Sequence, residues 1–297
     1  MRKQWRRTHD QGVPAPEEPT LRKVVISSVI AAALAAAVSS APAASAATAL
    51  PRPFLAYALG VGGTQLSTVF TDAPQAQLNT GTVKGLGVDT SLVGIDVRVQ
   101  DGALYGVGNA GGVYRIDPTS KQATKVLTLS VPLEGTSFGV DFNPAANALR
   151  VISNTGQNLR QPFATVGAAT IADTRLSTPP AVGDTTGVGA AAYTNNDLDA
   201  TTGTTLFDLN TTTDALVVQS PANSGTLAAV GNLGVDAGPV AGLDIYTNSQ
   251  GVNTGYAVVA VGGATSLYAV DLLNGRATKV GSFRTPVSDI AIPLAGR

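Results

Sequence analysis

The chain has 297 residues, 13% of them charged and 44% hydrophobic, with a formal net charge of −1, one His and no Cys. That hydrophobicity with so little charge excludes intrinsic disorder, and the near-neutral balance gives no electrostatic footprint for nucleic acid. The cysteine count excludes thiol catalysis, thiolate-held zinc, disulfides and a lipidated cysteine anchor, and His9 alone leaves almost no imidazole chemistry.

Residues 1–20 form a polar extension broken by Pro14, Pro16 and Pro19. Its Arg6-Arg7 pair lies too far upstream of any apolar run for a strong twin-arginine reading, and translation from Leu21 is an alternative start. Residues 21–46 read as a secretory signal peptide. Arg22 and Lys23 precede the uncharged run VVISSVIAAALAAAV (24–38), and Ala44-Ser45-Ala46 supplies the small-residue cleavage site. The rival is a membrane anchor, but spanning takes about 20 apolar residues and this Ala-rich run is shorter. The expectation is therefore a secreted or cell-envelope protein without a stable membrane anchor. Residues 47–53 are a linker and 54–293 the folded domain.

Of the chain's 19 basic and 20 acidic residues, the segment 1–46 carries six and three, which leaves 13 and 17. Sixteen of those 17 acids are Asp, and Glu134 is the one Glu. Helical surfaces favour Glu, Lys and Gln, whereas Asp, Asn, Thr and Gly favour turns and strands. An all-β domain follows.

Internal repeats give its architecture. VYRIDPTSKQATKV (113–126) and LYAVDLLNGRATKV (267–280) align without gaps, with weaker copies at 158–171 and 205–218. Each reads as a strand, an Asx-type turn and a second strand. A leader precedes each unit: GIDVRV at Gly94, GVDFNP at Gly139, GAAAYTN at Gly189 and GLDIYTN at Gly242, spaced 45, 50 and 53 residues. VSDIAIP (287–293) is a fifth leader with nothing after it, and the strands in 54–85 lack one. About four strands per 45–53 residues is the size of a propeller blade. The sequence predicts a single β-propeller of five four-stranded blades, closed by pairing the N- and C-terminal segments. A two-sheet sandwich would explain the strands but not the period.

GTSFGVDFNPAANALRVISNTGQNLR (135–160), LVGIDVRVQDGALYGVG (92–108), AAAYTNN (190–196) and LYAVDLLNGRATKVG (267–281) resemble the bacterial family known as domain of unknown function 4394. The resemblance covers roughly residues 50–293. It implies a secreted, propeller-like domain and carries over no catalytic residue.

Three groups of side chains are candidates for chemistry. The leader aspartates Asp96, Asp141, Asp244 and Asp289, with Ala192 at the matching place in the third blade, would cluster at the axis, where they could hold Ca²⁺ or lock blade to blade through hydrogen bonds. Asp141, Asn143, Arg150, Asn154, Gln157, Asn158 and Arg160 in the second blade are a ligand-binding candidate, since amides and guanidinium groups bind sugars or peptides; turn chemistry and blade bridging are the plainer use. Asn195, Asp197, Asp199 and Asp208 match a calcium loop in part but lack the EF-hand spacing. No other cofactor is expected. The function expected is a non-catalytic module binding an extracellular glycan or protein. A carbohydrate-active enzyme using Glu134 with a leader Asp is one alternative, and a structural cell-envelope domain the other. No mature His is available for serine hydrolysis.

Overall fold

Alternating apolar residues in short runs, many of them closed by Gly, Asn or Asp, produce twenty strands in the computed structural model, which describes residues 53–294 apart from 196 and 200. These residues lie in one compact unit that begins at Ala49. The expected extension and signal peptide lie outside the described residues. Among the described residues no helix is long and apolar enough to cross a membrane.

The strands are β1 (Leu55–Gly60), β2 (Gln65–Phe70) and β3 (Ala73–Thr82); β4 (Leu92–Arg98), β5 (Ala103–Gly108), β6 (Gly112–Ile116) and β7 (Ala123–Thr128); β8 (Phe138–Asn143), β9 (Ala148–Ser153), β10 (Asn158–Pro162) and β11 (Ile171–Ala172). The remainder are β12 (Val188–Tyr193), β13 (Leu206–Asn210), β14 (Ala215–Gln219) and β15 (Leu227–Asn232); β16 (Ala241–Thr247), β17 (Asn253–Val261), β18 (Ala264–Val270) and β19 (Ala277–Ser282); and β20 (Val287–Ala291). They pair as five four-stranded antiparallel sheets. The first to fourth blades are β4–β7, β8–β11, β12–β15 and β16–β19, and the fifth is ordered β20-β1-β2-β3. The ring is therefore a five-bladed propeller closed by its two terminal segments, as the repeats predict. Closure gives the N-terminal strands β1–β3 their inner strand, β20, from the other end of the chain.

One repeat assignment needs correction. In the first and fourth blades the hairpin copies are the third and fourth strands, but 205–218 folds as β13 and β14, the second and third. A long connection, 194–205, separates β12 from β13 and displaces the copy by one strand. The fourth strand of that blade, β15, follows a short 3₁₀ turn at Ala222–Ser224.

Five apolar clusters fill the five seams between neighbouring blades. The smallest lies between the second and third blades and contains Ile152, Leu176, Ala191, Tyr193, Leu206 and Val217. That seam makes up the difference with buried polar side chains.

Candidate functional site

Successive side chains of a strand point to opposite faces, so the leader glycine and the aspartate two residues on share a face. In the first, second and fourth blades that face meets the next leader strand at close range. A Cβ on Gly94 would lie 2.5 Å from Val140 Cγ2, one on Gly139 2.5 Å from the Ala191 nitrogen, and one on Gly242 2.5 Å from Asp289 Oδ1. The glycines recur because the inner strands converge on the axis.

The aspartates beside them stitch blade to blade. Asp96 Oδ2 accepts the Phe142 N–H at 2.7 Å, Asp141 Oδ1 accepts the Tyr193 N–H at 3.1 Å, and Asp244 Oδ2 accepts the Ile292 N–H at 2.6 Å. Asp289 Oδ2 takes the Ile95 N–H at 2.8 Å. Asp96, Asp244 and Asp289 also accept the amide of the residue that follows each of them.

These four do not form one layer. Tyr105 pairs with Asp96 and Tyr256 with Asp244, but the corresponding Tyr57 pairs with Ala291. Asp289 sits two residues earlier, at the level of the leader glycines, and its carboxylate fills the space that Gly94 and Gly242 leave. Three carboxylates converge above it. Asp96, Asp141 and Asp244 each place an oxygen within 4.8 Å of the others, and all three are buried.

Burial is the main cause that pushes every axial carboxyl upward in pKa. The neighbouring Asp244 adds to it at Asp96, and Asp96 and Asp244 add to it at Asp141. Asp289 rises for the same first reason, partly offset by the Ile95 amide. Asp244 is pushed up to about 6, held back by the Ile292 and Ile245 amides. The three converging carboxyls line a cavity of about 20 Å³ with Phe142, Tyr193 and Asn195. That is room for about one water or a single ion.

The seven second-blade candidates are mostly turned inward. Arg150 is 2% exposed and is the centre of a seam network. Its Nε donates to the Tyr193 hydroxyl at 3.3 Å, one terminal nitrogen to Asn158 Oδ1 and Asp173 Oδ2 at 2.8 and 2.7 Å, and the other to Asn223 Oδ1 at 2.7 Å. Arg160 grips both oxygens of the same Asp173. Asn158 donates to the carbonyls of Thr174 and Ala222, and so ties the second blade to the third. Gln157 pins the Pro132–Glu134 loop through the Glu134 N–H and the Pro132 carbonyl. Asn154 accepts from the Thr136 and Ser137 amides, and Asn143 closes its own turn on the Ala146 amide. Asp141 is the one of the seven that lines the axial cavity.

Glu134 lies at the surface in an ion pair with Arg175 (2.9 Å), which also binds Asp184. The cavity lined by the leader aspartates does not include it. The stretch 195–208 is divided. Asn195 lines the axial cavity, Asp197 and Asp199 cap successive Asx turns, and Asp208 is buried on β13. These four side chains therefore do not assemble as one ligand set.

Sequence reasoning missed Asp173, Asn223 and Gln219, which complete the seam network. No local motif marks them, since they reach Arg150 and Asn158 from up to 73 residues away. Asp208, named above as a partial calcium-loop candidate, is a strand residue on the same face as Leu206, which a strand-period reading of β13 would have placed correctly.

A family model described as Domain of unknown function (DUF4394) matches residues 65–291. None of the curated proteins compared matches the chain. Among solved structures, a chain of a nidogen/laminin complex is 12% identical with a TM-score of 0.48, over 82% of this chain and 99% of that one. A structural-genomics protein of unknown function from Bacteroides thetaiotaomicron is 14% identical with a TM-score of 0.49. The alignment covers 80% of this chain and spans 61% of that protein's length.

Proposed function

From the premise that the chain belongs to the DUF4394 family, we propose that it is an exported, non-catalytic binding module whose ligand, a glycan or a protein, docks on the outer surface of the propeller. One observation carries this reading: the chemistry-bearing side chains are drawn inward, and the axial cavity they surround has about 20 Å³, room for an ion but not for an organic substrate. Sites for small organic ligands have about 300–1,000 Å³. Export rests on the sequence of residues 21–46.

A cleft of the required size, about 410 Å³, lies on the rim where Asn232 and Leu233 of the third blade face Asn274 and Arg276 of the fourth. Arg276 is exposed and enters none of the ion pairs among the described residues. Its guanidinium and the two amides are hydrogen-bonding groups suited to hydroxyls or a carboxylate. The enzymatic alternative needs Glu134 beside a leader aspartate, and the Arg175 pair holds it elsewhere.

A glycan array tests the reading. Binding without product formation, weakened at least tenfold by Arg276→Ala and Asn274→Ala with the fold retained in both variants, is the expected result. Binding indifferent to both variants refutes the rim cleft, and turnover lost in Glu134→Gln would favour the enzyme. Absence of any glycan or protein ligand would favour a structural envelope domain.

The second reading concerns the axis. The donor set for the Ca²⁺ considered from sequence would be Asp96, Asp141 and Asp244, whose convergence supports it. Three hard oxygen donors with raised pKa values need neutralising, by protons or by a divalent cation. A melting temperature that rises with Ca²⁺ in the wild type but not in Asp96→Asn would select the cation.

A further inference from the structure

Asp208 differs from the axial aspartates in having no amide to bind. Strand β13 alternates, so Leu206 and Asp208 face the second blade while Phe207 and Leu209 face the fourth. Asp208 is 0% exposed, and neither of its carboxylate oxygens meets a donor among the described residues. Gln219 on β14, 2% exposed, presents a second unmatched acceptor, its Oε1. The orientation of that amide is fixed: its Nε2 donates to the Ala222 carbonyl at 2.6 Å and to Asn158 Oδ1 at 3.3 Å. A flipped amide would set oxygen against the Ala222 oxygen.

Pairing of Asp208 with Val217 and of Leu206 with Gln219 makes Asp208 and Gln219 diagonal neighbours on one face. Such positions are about 7–8 Å apart, within the reach of a long side chain. Two acceptors repel as they stand, but a proton on the carboxyl turns one of them into a donor. We infer that Asp208 is a neutral carboxylic acid at neutral pH that donates to Gln219 Oε1, a proton-binding site that makes the seam between the second and third blades pH-sensitive.

The charged and titratable groups around this seam are Asp141 on β8, Arg150 on β9, Arg160 on β10, Asp173 beyond β11 and Tyr193 on β12, with Glu134, Arg175 and Asp184 exposed at its edge. Of these Arg150 acts on Asp208 and favours its ionised form, but burial outweighs it and drives the carboxyl well above the ordinary range. Arg150 is already directed to Tyr193, Asn158, Asp173 and Asn223. When Asp208 ionises, Arg150 is the cation available to meet it. That movement draws on the bonds by which Arg150 joins the two blades, to Tyr193 and Asn223.

The test is denaturant unfolding of the full chain and of Asp208→Asn between about pH 5 and pH 7. The amide of the variant donates to Gln219 without titrating. With rising pH the wild-type unfolding constant should increase by up to about tenfold more per pH unit than that of the variant, the signature of one proton. Parallel slopes overturn the inference, because the axial aspartates are common to both proteins. Should Asp208→Asn fail to fold, carboxyl-carbon NMR of the wild type, assigned through Phe207 and Leu209, reads the same proton. Titration well above the ordinary aspartate range supports the site, and titration within or below that range overturns it.

Discussion

Stability of this propeller should fall, not rise, as pH increases from acid to neutral, and Asp244 gives the size of the effect. Its carboxyl is raised from 3.8 to about 6 because it is buried at the axis. The folded protein therefore keeps a proton that the unfolded chain has already released. The stability this proton confers is present in full below about pH 4 and is lost as pH rises through about 6. A shift of about two units at 1.36 kcal/mol each corresponds to about 3 kcal/mol from this one group. Asp244→Asn removes the titration, but its single amide oxygen can serve only one of the two backbone amides, Ile245 and Ile292, that the carboxylate accepts. Leaving the other unmatched costs about 1–3 kcal/mol. The variant should therefore be weaker than the wild type at pH 4.5 and nearly equal to it at pH 7.5. Urea unfolding across that range, in the presence of a chelator, measures both curves. A wild-type curve that climbs with pH, or a variant that keeps the wild-type slope, would show that the axial carboxyls ionise freely and that the reasoning is wrong.

Three further outcomes follow from single contacts. Gly139→Ala places a methyl 2.5 Å from the Ala191 nitrogen, backbone that cannot yield cheaply, and should cost about 1–3 kcal/mol in thermal unfolding, whereas Gly203→Ala, with nothing within 4 Å, should cost little. Arg150→Ala leaves the 5%-exposed Asp173 with only its pair to the 26%-exposed Arg160 and removes four buried or part-buried hydrogen bonds, so chemical denaturation should register a loss of about 3–5 kcal/mol. Glu134→Gln breaks only a solvent-exposed pair with Arg175 and should change stability by less than about 1 kcal/mol by the same assay.

The period of the repeats made the ring legible because each blade must solve the same problem: an inner strand that passes close to its neighbours needs Gly, and a carboxylate two residues on can take the neighbour's amide. The third blade departs from this. Its leader has Ala192 instead of Asp, and its second strand ends in an Asn-led turn that imitates the third-strand hairpin of other blades. Local similarity could therefore align β13 with the wrong strand. Blade bridging by the second-blade polar cluster was legible as one reading of it, but its partners were not, because Asp173, Asn223 and Gln219 come together with it only when the third blade packs on the second.

Asp289 shows what a single-strand comparison lacks. VSDIAIP matches the other leaders by its own residues, yet the level of a residue on the axis is set by the strand beside it. Tyr57 in β1 corresponds to Tyr105 and Tyr256, and its partner is Ala291, so the fifth blade supplies alanine where the first and fourth supply aspartate. Two alanines, Ala192 and Ala291, thus interrupt the carboxylate layer and leave three acids instead of five. The displaced Asp289 closes the axis below them, in the one layer where glycines make room for it. An axis built in this way has a carboxylate floor and three carboxylate walls. Its charge must be neutralised from within the cavity, which is why the pH titration of Asp244 and a Ca²⁺ titration of the melting temperature probe the same space of about 20 Å³.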